Sequence, residues 1–146
     1  MSKEQFDKEN IFGIGNPNTA FAQYFVGDSY LNPLVDPAKS PMFLANVTFE
    51  PGCRNNWHIH HAKSAGGQIL ICTAGSGWYQ EEGKEAVDLK PGMVIVIPAN
   101  VKHWHGAKKD EWFSHIAIEE QRAGLIWLRR WRSSFKGFGS ERIERL

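Results

Sequence analysis

Turn residues punctuate this chain at short intervals, and that limits its fold more than any other feature. Pro51-Gly52, Ala74-Gly75-Ser76-Gly77, Glu82-Gly83-Lys84, Lys90-Pro91-Gly92 and Pro98-Ala99-Asn100 separate segments of strand character. Those segments are Phe43 to Glu50, Asn56 to His60, Gln68 to Thr73, Trp78 to Glu81, Ala86 to Leu89, Met93 to Ile97, His103 to Gly106 and Trp112 to Glu119. Phe21 to Leu31 has the same character, broken at Gly27, and the proline-rich NPLVDPAKSP after it reads as a loop. Asn100 suits a left-handed turn position. Short strands recurring every ~8–12 residues argue for an all-β barrel or sandwich.

A chain of 146 residues, 42% hydrophobic and 23% charged, fits one compact soluble domain. Its net charge of +1 argues against a nucleic-acid-binding body. The charge is uneven: residues 1–119 hold 10 Lys+Arg against 13 Asp+Glu, and residues 120–146 hold 7 against 3. The N-terminus MSKEQFDKEN has no apolar core, so it does not read as a secretory signal. No apolar run is long enough to span a bilayer. Cys53 and Cys72 form no zinc-type pair; one disulfide between them is open, and two thiols in a cytoplasmic chain is the reading preferred. Residues 1–20 read as an N-terminal arm with no obvious partner in its own barrel, and residues 21–119 as the barrel. Residues 120–146 read as a basic tail. There Leu125, Leu128, Trp131 and Phe135 recur at helical spacing, so a short amphipathic helix, a poorly ordered tail and an oligomer contact all stand as readings.

The histidines carry the chemistry. His58 and His60, at i and i+2 on a strand, point the same way. Gln68 a few residues on and His103 on a later strand can close a four-ligand pocket around one divalent metal. Imidazole suits Mn, Fe, Ni and Zn, and an amide oxygen suits the harder of these. A lone histidine pair is more often two satisfied polar residues than a site. The intervals argue otherwise. Five residues separate Gly52 from His58, one His58 from His60, seven His60 from Gln68, and six Gln68 from Gly75. In a second block, Pro91-Gly92 is followed after five residues by Pro98, then Asn100, then after two more His103.

These two blocks resemble the paired motifs of the cupin superfamily, and the resemblance implies a double-stranded β-helix, a small jelly-roll barrel. WHIH, QILICTAGSGWYQ, PGMVIVIPANVKHWHGA and FSHIAIE look like a subfamily of small single-domain bacterial cupins. One branch of it accompanies carboxymuconolactone-decarboxylase-like domains, and another contains manganese-dependent hydroxynitrile lyases. By that resemblance the metal ligands are His58, His60, Gln68 and His103, and the ion is Mn first, with Fe, Ni or Zn next. His105 and His115 match pocket histidines and are the candidate catalytic acid/base pair. Ala45, Val47 and Glu119 fall at wall positions. His105 shares the strand face of His103 by parity and ranks next as a ligand, with His61 a poor third. Trp57, Trp104 and Trp112 flank the histidine strands as an aromatic wall or as core packing. The loop HAKSAGG is longer than in the lyase branch.

A neutral ligand set leaves the ion's charge uncompensated and strengthens it as a Lewis acid. The first function expected is therefore Lewis-acid chemistry on a small organic molecule, as in a hydroxynitrile lyase or a related lyase or isomerase. A metal-dependent dioxygenase and a non-catalytic ligand-binding cupin are the alternatives. A homodimer is expected, the residue 1–20 arm covering a strand edge of the second copy.

Overall fold

In a computed structural model, residues 1–63 and 66–120 and the backbone of 142–145 are described. Helix α1 (Lys3–Glu9) precedes β1 (Asn16–Pro17), a 3-10 turn (Ala22–Tyr24), β2 (Phe25–Val26), β3 (Ser29–Pro33), β4 (Met42–Phe49), β5 (Arg54–Asn55) and β6 (His58–His61). Then come β7 (Gln68–Gly75), β8 (Gly77–Glu81), β9 (Val87–Leu89), β10 (Val94–Ile97), β11 (His103–Ala107), β12 (Phe113–Glu120) and β13 (Arg142–Arg145). They form two antiparallel sheets. The first runs β1-β3-β4-β12-β7-β10. In the second, β11 pairs with β8 on one side and with β5 and β6 on the other. β2 adds to β5, β9 to β8 and β13 to β6. This is a jelly-roll barrel, the all-β class that the turn spacing implies.

The barrel closes because its long strands alternate. β4 and β12 pair over their full lengths, from Phe113 opposite Phe49 to Glu120 opposite Met42. Odd-numbered residues of both face inward. Phe49, Phe113, Leu70 and Leu89 are fully buried, and the Phe49 and Phe113 rings lie 5.8 Å apart. Gly75 has φ +73°, and a Cβ there would collide with the Trp112 carbonyl oxygen. The motif glycine is thus required for β7 to meet the start of β12. Asn100 takes the left-handed conformation (φ 68°). Its side chain bonds both Ala62 N (3.1 Å) and Ala62 O (2.9 Å), which ties the loop after β6 to the turn before β11.

The N-terminal segment departs from expectation. It is packed on the outer face of the first sheet of its own barrel. Ser2 caps α1 by accepting from Gln5 N, and Gln5 returns a bond to the cap backbone. Phe6 is fully buried, 5.6 Å from the Trp112 ring, and β1 pairs with β3. An arm without a partner in its own barrel is therefore corrected. The Ser-x-x-Gln capping box at residues 2–5 is the signal that announced the helix.

The amphipathic helix expected over Leu125 to Phe135 lies outside the described residues. Beyond it, β13 extends the histidine strand, Arg145 opposite His58. Cys53 and Cys72 are buried free thiols, which burial pushes up to about 12 and about 11. No helix among the described residues is long and apolar enough to cross a membrane.

Candidate metal centre and pocket

The second sheet presents a cluster of histidines to the barrel interior. β6 and β11 are in register at His58 and His103, so the two rings sit side by side with centroids 4.3 Å apart. Alternation buries His58 and His60 and leaves Ile59 and His61 half-exposed. The His60 ring lies 5.1 Å from His58 and 5.6 Å from His103. His105, on the inward face of β11, lies 6.1 Å from both His58 and His103. One ring nitrogen each from His58, His103 and His105 falls within 4.8 Å of the other two, a group able to hold a metal ion. The His58–His103 pair thus has both His60 and His105 as neighbouring rings.

Backbone carbonyls set the tautomers of that shared pair. His58 Nδ1 donates to Asn56 O at 2.7 Å and His103 Nδ1 to Val101 O at 2.8 Å. Each ring is thereby pinned with its Nε2 as the lone-pair nitrogen. His103 is completely buried, and its Nε2 has no hydrogen-bond partner. Burial, then the neighbouring histidines, holds the His58 imidazole well below the usual histidine range. Burial foremost, with His60 next, holds His103 down at about 4. Both rings are neutral at pH 7, the state a metal ligand needs.

The first sheet supplies the opposite wall. Gln68 opens β7, and its amide Nε2 donates to Glu119 Oε1 on β12. The Gln68 Oε1 is buried without a partner. His115, also on β12, reaches across the barrel. Its Nε2 lies 3.2 Å from His105 Nδ1, so one proton is shared between the rings. Asn55 holds His105 in place: its Oδ1 accepts from His105 N at 2.9 Å, and its Nδ2 lies 3.1 Å from His105 Nε2. Burial pushes His115 down to about 4. Burial and the charges of His115 and His103 push His105 well below its usual range. Between Ser114 and His115 the β12–β7 register shifts, so that Ser114 faces Ala74 and His115 faces Cys72. Such irregularities re-aim side chains near active sites.

A cavity of about 590 Å3, its open mouth included, joins these groups. His58, His60, Gln68, His105, His115 and Glu119 form its polar floor, and Phe21, Tyr24, Phe25, Leu31 and Phe43 form its apolar walls. Val47 lines it as expected, and Ala45 is buried on the same strand. Sequence reasoning did not find the aromatic wall or Asn55. The tryptophans are not that wall. Trp57 and Trp104 pack on each other at 6.5 Å, beneath Lys102 and Arg54. Parity gives the reason, since each adjoins an inward histidine and so faces outward.

The donor set fits a divalent first-row ion. His58 and His103, neutral and with their Nδ1–H committed, and the Gln68 amide oxygen, with its NH2 turned to Glu119, offer lone pairs and no opposing protons.

The chain belongs to the cupin domain family, whose pattern matches residues 45–118. It is 42% identical over 105 residues to the (R)-mandelonitrile lyase of Granulicella tundricola, a match covering 70% of this chain and 76% of that protein. The crystal structure of a cupin-like protein from Thermotoga maritima, 42% identical, superposes with a TM-score of 0.66 over 76% of this chain and 80% of that one. A cupin 2 conserved barrel domain protein from Rhodopseudomonas palustris, 15% identical, gives 0.61 over 73% and 70%, a likeness of fold alone.

Proposed function

We propose that this chain is a metal-dependent lyase of the hydroxynitrile type, holding one divalent ion, manganese foremost, through His58, His60, Gln68 and His103. The observation that carries the reading is the pair of buried lone pairs, Gln68 Oε1 and His103 Nε2, that nothing in the protein satisfies. An unpaired buried acceptor costs ~1–3 kcal/mol, and a cation removes that cost. His60 is preferred to His105 as the third imidazole because His105 has His115 at one nitrogen and Asn55 at the other. An ion held there supplies Lewis acidity toward an oxygen of a small organic molecule.

The remaining chemistry belongs to the side chains. His105 and His115 are two neutral rings with one N–H each, joined by a hydrogen bond, so the pair can take up one further proton. It accepts the hydroxyl proton of the substrate as the carbon–carbon bond to cyanide breaks, and that bond's electron pair leaves with cyanide. The carbonyl product forms, and the proton returns to cyanide or solvent. Phe21, Tyr24, Phe25, Leu31 and Phe43 hold the apolar body of the substrate and exclude water. The relative that acts on mandelonitrile makes an aromatic cyanohydrin the first compound to try.

Aldehyde release from mandelonitrile, followed by ultraviolet absorbance, tests the reading. Manganese-loaded protein should release aldehyde well above the metal-free control. No release, with oxygen consumed on an enol or diketone, replaces it with the oxygenase reading; tight ligand binding without turnover replaces it with a binding module.

The proposed homodimer rests on the edge of the first sheet, where Val94 and Val96 of β10 are 57% and 67% exposed. The two free thiols support the cytoplasm as its location.

A further inference from the structure

Gln68 meets a carboxylate on the side away from its lone pair. β7 and β12 run antiparallel with Ile69 opposite Ile118, so one step along the ladder places Gln68 across from Glu119. Glu119 is 4% exposed, and both residues line the cavity. The Gln68 Nε2 donates to Glu119 Oε1.

That bond has a consequence for orientation. A primary amide has a donor end and an acceptor end, and the Glu119 Oε1 accepts from the donor end. Glu119 therefore takes the NH2 end, and Oε1 must point the other way, where it is buried and unsatisfied. Without such a partner the amide has no reason to prefer one orientation, and its NH2 group repels a cation.

We infer that Glu119 is the positioning residue for Gln68: it fixes which end of the amide faces the metal. This rests on Gln68 being a metal ligand. An amide at position 119 can meet Gln68 with either end, so Glu119→Gln keeps the shape and loses the orientation. Losing the partner of a metal ligand costs about 10–100-fold in metal affinity.

The test is a Mn2+ titration followed by the electron paramagnetic resonance signal of the free ion. It compares unmodified protein, Glu119→Gln and the exchanged pair Gln68→Glu/Glu119→Gln, with thermal unfolding of each metal-free protein alongside. Glu119→Gln should bind Mn2+ about 10–100-fold more weakly. The exchanged pair should recover to within about threefold of the unmodified protein, because the carboxylate introduced at 68 ligates while the amide at 119 donates to its second oxygen. A merely structural role predicts affinities that follow metal-free stability, with no recovery.

The inference is overturned if Glu119→Gln binds within about twofold of the unmodified protein, or if the exchanged pair binds no better than the single variant. If the variants do not fold, a crystal structure of the unmodified manganese-loaded chain decides: Gln68 Nε2 on Glu119 upholds the inference, and an amide turned away from Glu119 overturns it. Failure of the unmodified chain to bind Mn2+ sinks the metal reading and this inference with it. Binding with an unaffected Glu119→Gln sinks this inference alone.

Discussion

The first sheet has buried polar residues on both of its faces, and the two faces treat them differently. On the outer face, next to α1, Asn46 Nδ2 donates to Asn10 Oδ1 and Gly13 O, both at 2.8 Å. Asn46 Oδ1 accepts from Ser114 Oγ at 3.0 Å and Thr73 Oγ1 at 3.3 Å, and the Thr48 and Ser114 hydroxyls meet at 3.0 Å. That network is closed. On the inner face, Gln68 Oε1, with His103 Nε2 across the barrel, is buried and has no hydrogen-bond partner in the protein. A closed network stabilises a fold, and an open one leaves its polar atoms available to a ligand.

Substitutions on the two faces should therefore fail in different ways. His115→Ala should lower turnover of the cyanohydrin by about 10²–10⁴-fold while bound metal per chain stays constant. Steady-state kinetics with elemental analysis of the same sample check both halves. Asn46→Ala should instead cost about 2–4 kcal/mol of stability, since it strands Asn10, Thr73 and Ser114. Urea unfolding measures that loss, and metal per folded chain should not change. If Asn46→Ala lost metal without losing stability, the contrast between the faces would collapse.

Acid should distinguish the faces more gently. His103 and His115 are held at about 4 by burial, against about 6.5 in the unfolded chain. Between those values the unfolded chain binds more protons, so stability rises with pH. It is complete above about 6.5 and lost as pH falls toward 4, at about 1.4 kcal/mol per pH unit for each such group. Urea unfolding of metal-free protein across that range should show the slope. Asn46→Ala should lower the curve without changing its slope, because the outer network holds no titrating group. His115→Gln should flatten it by about one group's share.

Parity and turn chemistry make the inner face legible in the sequence. His58 and His60, and likewise His103 and His105, are two residues apart on short strands, so the common face of each pair follows from the pleat. Gly75 and Asn100 announce the turns that place them, because few other residues adopt those backbone angles. What the sequence hides depends on which strands pair. The Gln68–Glu119 contact exists only once β7 lies beside β12. The aromatic wall comes from Phe21 to Phe43, where strands too short for clean alternation join the barrel. Asn55 reaches His105 through the pairing of β5 with β11. The capping box at Ser2 and Gln5, and the outward parity of Trp57 and Trp104, are readable signals that the longer strands overshadow.

The most direct test of the account is elemental analysis of the chain purified without a histidine tag, beside His103→Ala and His105→Ala. The account predicts about one divalent first-row ion per chain, most of it gone in His103→Ala and retained in His105→Ala. Full metal in His103→Ala with none in His105→Ala would contradict the assignment of the centre.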